Sequence, residues 1–127
     1  MKKILTCLLT VLGLTSAYGQ HNFENNDAQG FAELIADTTV VILDVRTASE
    51  FAEGHIKGAI LIDQGQPDFM EIAKAALTTD KTIAVYCRTG RRSANAAGKL
   101  ADIGYKCVNL KGGIIGWEKT GMPVAKD

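Results

Sequence analysis

The sequence predicts an α/β protein, a three-layer sandwich with a central, largely parallel sheet and helices on both faces. Three observations predict it. Short apolar, β-branched runs alternate with stretches of helical spacing from end to end of the chain. Runs such as Val40-Val41-Ile42-Leu43 and Thr82-Ile83-Ala84-Val85-Tyr86 are continuously apolar, which suits strands covered on both sides. Glycines stand at the joints, at positions 54, 104 and 112–113, where helices stop or the chain turns.

The elements follow in order. Residues 20–26 are polar and are expected to fray. Asn26 or Asp27 caps a helix that carries Phe31, Leu34 and Ile35 on one face. Thr39 to Asp44 is a strand. Thr47-Ala48-Ser49-Glu50 has the spacing of a capping box, opening a short helix that ends at Gly54. Ala59 to Ile62 is a second strand. Asp68 opens a helix with Phe69, Ile72, Ala73 and Ala76 on one face. Thr82 to Tyr86 is the central strand, and Ser93 to Ile103 a helix with Ala94, Ala97, Leu100 and Ala101 at helical spacing. Gly104 ends it. Lys106 to Leu110 is a strand, Gly112-Gly113 a tight turn, and Ile114 to Lys119 a last helix stopped by Gly121 and Pro123.

The 127 residues suffice for one domain, with an ordinary globular balance of 46 % hydrophobic and 22 % charged residues. Formal net charge is zero, so no global field recruits nucleic acid or an acidic membrane surface. The N-terminus reads as a secretory leader. Lys2 and Lys3 precede the apolar run Ile4 to Leu14, which is too short to span a bilayer, and Ala17-x-Gly19 marks a cut before Gln20. Residues 1–19 are therefore expected to be a signal peptide and 20–127 the domain, periplasmic or secreted, with no stable membrane insertion after cleavage. Three cysteines, Cys7, Cys87 and Cys107, show no CxxC pair, and with two histidines no metal site and no cofactor are expected. Cys7 leaves with the leader.

Chemistry concentrates at Cys87-Arg88-Thr89-Gly90-Arg91-Arg92-Ser93. The cysteine stands at the C-terminal end of a strand, where open α/β sheets bind ligands. The loop then enters a helix, whose first N–H groups lack intrahelical partners and whose dipole is positive. Such a loop cradles anions. Three of the four arginines in the chain crowd the same sulfur. Helix terminus and guanidinium charge are both expected to lower the Cys87 pKa and make a thiolate nucleophile for an anionic substrate. Arg92 is expected to close the loop onto the helix start, with Arg88 and Arg91 facing the pocket. Elsewhere the residues read as structural. Arg46 and Glu50 can pair across a helix start, Asp44 can accept turn N–H groups, His55 can hydrogen-bond within the Gly54–Gly58 turn, and Trp117 packs. Cys107 is a small core residue or, alternatively, a partner for Cys87 in a disulfide.

Three stretches together resemble the rhodanese family. The first is Leu43-Asp44-Val45-Arg46 with Glu50-Phe51 and Gly54-His55-Ile56-Lys57-Gly58-Ala59. The second is the Cys87 loop. The third is Gly112-Gly113 with Trp117 and Gly121-Met122-Pro123. The resemblance covers nearly all of residues 20–127 and implies a single-domain sulfurtransferase. Carried onto this chain, it makes Cys87 the nucleophile that takes a sulfane sulfur from thiosulfate or another small anionic donor and passes it to cyanide or a thiol. Arg88, Thr89, Gly90, Arg91, Arg92 and Ser93 would form the cradle. Loop length separates this reading from its neighbours. Cys87 to Arg92 is C-x4-R, whereas related phosphatases and arsenate reductases use C-x5-R around a tetrahedral oxyanion. A phosphatase or arsenate reductase, and a non-catalytic persulfide-binding or interaction module, are the alternatives. The text Ile60 to Pro67 departs from the family pattern and is expected to border the pocket.

Overall fold

Among the described residues, five parallel strands form a central sheet in the spatial order β1-β5-β4-β2-β3. The computed structural model describes residues 22–127, so the leader and Cys7 lie outside the described residues. In chain order the elements are β1 (Glu24–Asn26), α1 (Ala28–Ile35), β2 (Val41–Asp44), α2 (Ala48–Glu53) and β3 (Ile60–Leu61). Then come α3 (Phe69–Ala76), β4 (Thr82–Tyr86), α4 (Arg91–Asp102), β5 (Lys106–Leu110) and α5 (Gly113–Lys119). The protein is thus an α/β sandwich of three layers, as the alternation of apolar runs and helical spacings predicts.

Strand periodicity builds the two cores. On β4, Ile83 and Val85, with Cys87 just beyond, face one side, where Phe69, Ala73 and Leu77 of the α3 region and Ala96, Ala97 and Leu100 of α4 cover them. Ala84 and Tyr86 face the other side, against Ala28 and Phe31 of α1 and Ile114 and Trp117 of α5. Phe31 makes T-shaped ring contacts with Tyr86 and Trp117, with ring centroids 6.5 and 6.1 Å apart. Among the described residues no helix is long and apolar enough to cross a membrane.

Local signals hold at most element ends. Asp27 caps α1 by accepting from the Gly30 N–H at 2.9 Å. Both halves of the Thr47–Glu50 capping box form, at 3.2 and 3.0 Å. Gly104 has φ +103°, and its N–H and that of Tyr105 close the α4 terminus on Ala101 and Leu100, each at 3.1 Å. Asp68 opens α3 without a side-chain cap.

Three readings need correction. Residues 24–26 do not fray; they form β1, paired with β5 from Glu24–Val108 to Asn26–Leu110. Glu-Asn-Asn carries no apolar signal because this edge strand is held by backbone ladder bonds, not by a buried side-chain row. On α3 the covered face is Phe69, Ala73 and Leu77, while Ile72 is 42 % exposed and Ala76 is exposed too. At about 100° per residue, Ile72 lies about 100° round the helix from the centre of that i, i+4, i+8 row. Finally, α4 begins at Arg91 rather than Ser93, which places Ser93 inside the first turn with its side chain turned to the sulfur.

Candidate active site

β2 and β4 end side by side, with Asp44 level with Tyr86. The chain leaves β4 at Cys87, turns through Gly90 at φ +100° and enters α4 at once. This turn folds backbone donors inward around the thiol. Cys87 Sγ receives the Gly90 N–H at 3.1 Å, the Ser93 N–H at 3.4 Å and the Ser93 hydroxyl at 3.3 Å. Burial pushes the thiol pKa up. The Ser93 hydroxyl and the N–H groups of Ser93, Gly90 and Thr89 outweigh it, and the pKa lies below the ordinary value. The depression therefore comes from oriented donors more than from arginine charge. Cys87 is 0 % exposed and forms the end of the α3–α4 core.

The outside of the loop rests on α5. Its carbonyls point away from the sulfur: Cys87 O accepts from the Ile114 N–H at 2.9 Å and Arg88 O from the Ile115 N–H at 3.1 Å. These bonds satisfy two orphan donors of the α5 N-terminus. They also leave the loop N–H groups free to face Sγ. The fit is backbone against backbone. A Cβ on Gly113 would stand 2.2 Å from Arg88 O, and one on Gly90 would stand 3.2 Å from both Gly112 N and Leu110 O. Gly112-Gly113 was expected only as a turn. Its role as the seat of the loop was missed, since a glycine pair says nothing by itself of what approaches it.

The arginines divide into two kinds. Arg92 forks onto Glu50, Nη1 to Oε1 at 2.9 Å and Nη2 to Oε2 at 2.8 Å. That tie holds α4 to α2 and not the loop to its own helix start. Arg46 does not pair with Glu50. It turns back on Asp44, with contacts of 2.9, 3.1 and 2.7 Å, and donates to Gly54 O at 2.8 Å. Asp44 is buried at the strand end, so its charge needs the nearest guanidinium, and Glu50 is left to reach Arg92. Asp44 also accepts the Arg46 N–H at 3.0 Å, the turn bond expected of it. Arg88 and Arg91 have no salt bridge among the described residues. Arg88 lines a cleft of about 310 Å³ together with Arg46, Glu50, Glu53, Ile114 and Glu118, whereas Arg91 and Thr89 are exposed and do not line it. Asp63, in the segment that departs from the expected text, is near enough to Arg92 to act on its charge.

The Glu50 carboxyl is held down at about 2, chiefly by the Arg92 hydrogen bonds, against some burial and with help from Thr47. Because the folded value lies below the unfolded one, the pair stabilises the fold above about pH 4.3 and that contribution is lost as pH falls toward the folded value. Glu50→Gln should cost about 1 kcal/mol at neutral pH for this partly exposed pair. Urea unfolding of both proteins should show the gap closing between about pH 5 and 2.5. A gap unchanged by pH would refute the ion pair.

The remaining candidates are structural. His55 is buried, stacked on Phe51 at 3.7 Å between centroids, with Nδ1 at 2.9 Å from Phe51 O and Nε2 at 3.2 Å from Asp127 Oδ1. Trp117 packs in the α1–α5 core and donates Nε1–H to Pro123 O at 2.8 Å. Cys107 is buried, and burial pushes its thiol up to about 11. It lies level with Ile83, so Cys87 stands four residues further along the sheet, about 13 Å at ~3.3 Å per residue. A disulfide needs Cα atoms within about 7 Å, which excludes that pairing in this fold.

A donor-ringed thiol at the C-terminal end of the central parallel strand defines the class: an α/β domain with a buried thiol held in a loop of backbone N–H donors. The rhodanese-like domain family matches residues 27–120, and this chain belongs to it. A sulfurtransferase of Allochromatium vinosum is 34 % identical over 100 residues, covering 77 % of this chain and 91 % of that protein. Thiosulfate sulfurtransferase 16 of the Arabidopsis thaliana chloroplast is 36 % identical over 91 residues, covering 64 % and 76 %. The crystal structure of a rhodanese-related protein from Thermoplasma volcanium superposes with a TM-score of 0.75 at 33 % identity, over 83 % of this chain and all of that one.

Proposed function

We propose that this protein is a sulfurtransferase that carries sulfane sulfur as a persulfide on Cys87. The observation that supports it is the set of donors aimed at Sγ, which favours thiolate without a histidine base. The thiolate attacks the outer sulfur of thiosulfate or a similar small anionic donor. A new S–S bond forms, the donor's own S–S bond breaks, and sulfite leaves with the electron pair. Cyanide or a thiolate acceptor then attacks the outer sulfur of the persulfide, and Cys87 leaves again as thiolate. Gly90, Ser93 and Thr89 N–H groups stabilise the charge before and after each transfer. Arg88 and Arg91, free of salt bridges among the described residues, are the cations available to the donor. Since Cys87 is fully buried, the loop rim has to yield for the donor to reach it.

The six-residue ring argues for a single sulfur atom over a phosphate or arsenate, which the one-residue-longer loop of the related enzymes encircles. The leader pattern of residues 1–19 supports an exported protein working in the periplasm or outside the cell, with residues 20–127 as the working domain. One experiment reads both. Intact mass spectrometry of protein from the native host should give a chain beginning at Gln20, and incubation with thiosulfate should add one sulfur atom to it. An N-terminus at Met1 would overturn the export reading. No added sulfur, with efficient hydrolysis of an aryl phosphate, would favour the phosphatase alternative. Added sulfur with no turnover to cyanide or thiols would favour a carrier module.

A further inference from the structure

We propose that Asn109 is a positioning residue for the cysteine loop, acting through Gly90. The side chain lies on β5 and is 3 % exposed. Its Nδ2 donates to Gly90 O at 3.3 Å and to Asn25 Oδ1 on β1 at 2.9 Å. The Gly90 carbonyl can only accept, so the amino end of the amide is the end that faces it. Both amide hydrogens are then used. Asn109 Oδ1 is left buried with no partner. A half-satisfied buried amide is a poor choice for stability, and an apolar residue of the same size would avoid the cost. The sequence keeps asparagine where the cysteine loop passes.

Gly90 needs such a hold. It donates its N–H to Cys87 Sγ at 3.1 Å, yet it has φ +100° and no side chain to anchor it. Its carbonyl is the available handle, shared between the Ala94 N–H at 3.1 Å and Asn109. The Ala94 bond is part of α4 and sets the helix start. The Asn109 bond ties the same residue to the sheet. Asn25, Asn109 and Gly90 thus connect edge strand β1 to the donors around the sulfur. Loosening Gly90 removes a donor from the thiolate and should raise the thiol pKa.

The kinetic consequence rests on the sulfurtransferase reading; the thiol titration does not. The test is the pH dependence of iodoacetamide alkylation at Cys87, read by peptide mass, in wild type, Asn109→Leu, Asn109→Asp and Asn25→Ala. Urea unfolding and the rate of sulfur uptake from thiosulfate accompany it. Asn109→Leu should keep or gain stability, titrate at higher pH than wild type, and alkylate about threefold or more slowly near neutral pH. Asn109→Asp has the same shape but offers no donor, so it should not restore the wild-type titration. Asn25→Ala, in an exposed residue, should shift the titration less and in the same direction. A folded Asn109→Leu with wild-type titration and uptake overturns the proposal. Should that variant not fold, an unshifted titration in Asn25→Ala overturns it instead. Wild type that gains no sulfur refutes the functional reading while the titration still decides the role of Asn109.

Discussion

Cys87→Ser is expected to reduce sulfur transfer to the rate of a blank, because an alcohol with its high pKa gives no thiolate and forms no persulfide. The cost in stability should be small despite full burial. Serine is slightly smaller, and its oxygen still accepts from Gly90 and Ser93, so about 1 kcal/mol is expected. Cys107→Ser should behave in the opposite way. Its site offers an apolar core, so a hydroxyl there should cost about 1–3 kcal/mol while transfer is largely kept. Thiosulfate:cyanide assays with urea melts of both variants check the pair. Activity surviving in Cys87→Ser, or lost only in Cys107→Ser, would refute the assignment of the nucleophile.

Gly113→Ala should be nearly as damaging, although Gly113 lies outside the cysteine loop. The added Cβ would stand 2.2 Å from Arg88 O and 2.6 Å from Thr89 N, both backbone atoms that cannot swing aside. The loop has to lift off α5, and the Ile114 and Ile115 N–H bonds to Cys87 and Arg88 are lost or lengthened. The ring of donors around Sγ then opens. A stability loss on the order of 1–3 kcal/mol is expected from the overpacking, with a much larger relative loss of turnover. Gly112→Ala is the matched control. Its Cβ would meet nothing closer than Gly116 Cα at 3.9 Å, so only the left-handed backbone at φ +87° is penalised. Thermal melts with initial rates on both variants separate the effects. Equal loss of turnover in the two variants would mean that helix geometry, and not loop contact, is what Gly113 protects.

Much of the molecule could be read from local signals. The strand of residues 106–110 stands where the pattern put it, because the seven residues between Gly104 and Gly112 leave little choice of boundary. The capping box at Thr47 and Glu50 forms because both partners lie within one turn. The alternation of apolar runs and helical spacings carried the layer architecture. Edge strand β1 was illegible for the opposite reason, since its hold is a backbone ladder to β5, which a polar triplet does not advertise.

The chemistry of the site was legible as a list of residue types, and its arrangement was not. A lone thiol at a strand end and a six-residue loop leading into a helix could be read directly, because these are contiguous and their geometry is local; the helix start was placed two residues late. Where the charges went depended on packing between distant segments. Arg46 turned to Asp44, Arg92 to Glu50, and the thiol was left to N–H and O–H donors. That packing also decided that Gly113 and Asn109, 26 and 22 positions beyond Cys87 in the sequence, hold the loop from outside. Ion-pair choice depends on which buried charge lies nearest in space, and backbone contact on which strands are neighbours. Neither is encoded within one turn of the chain.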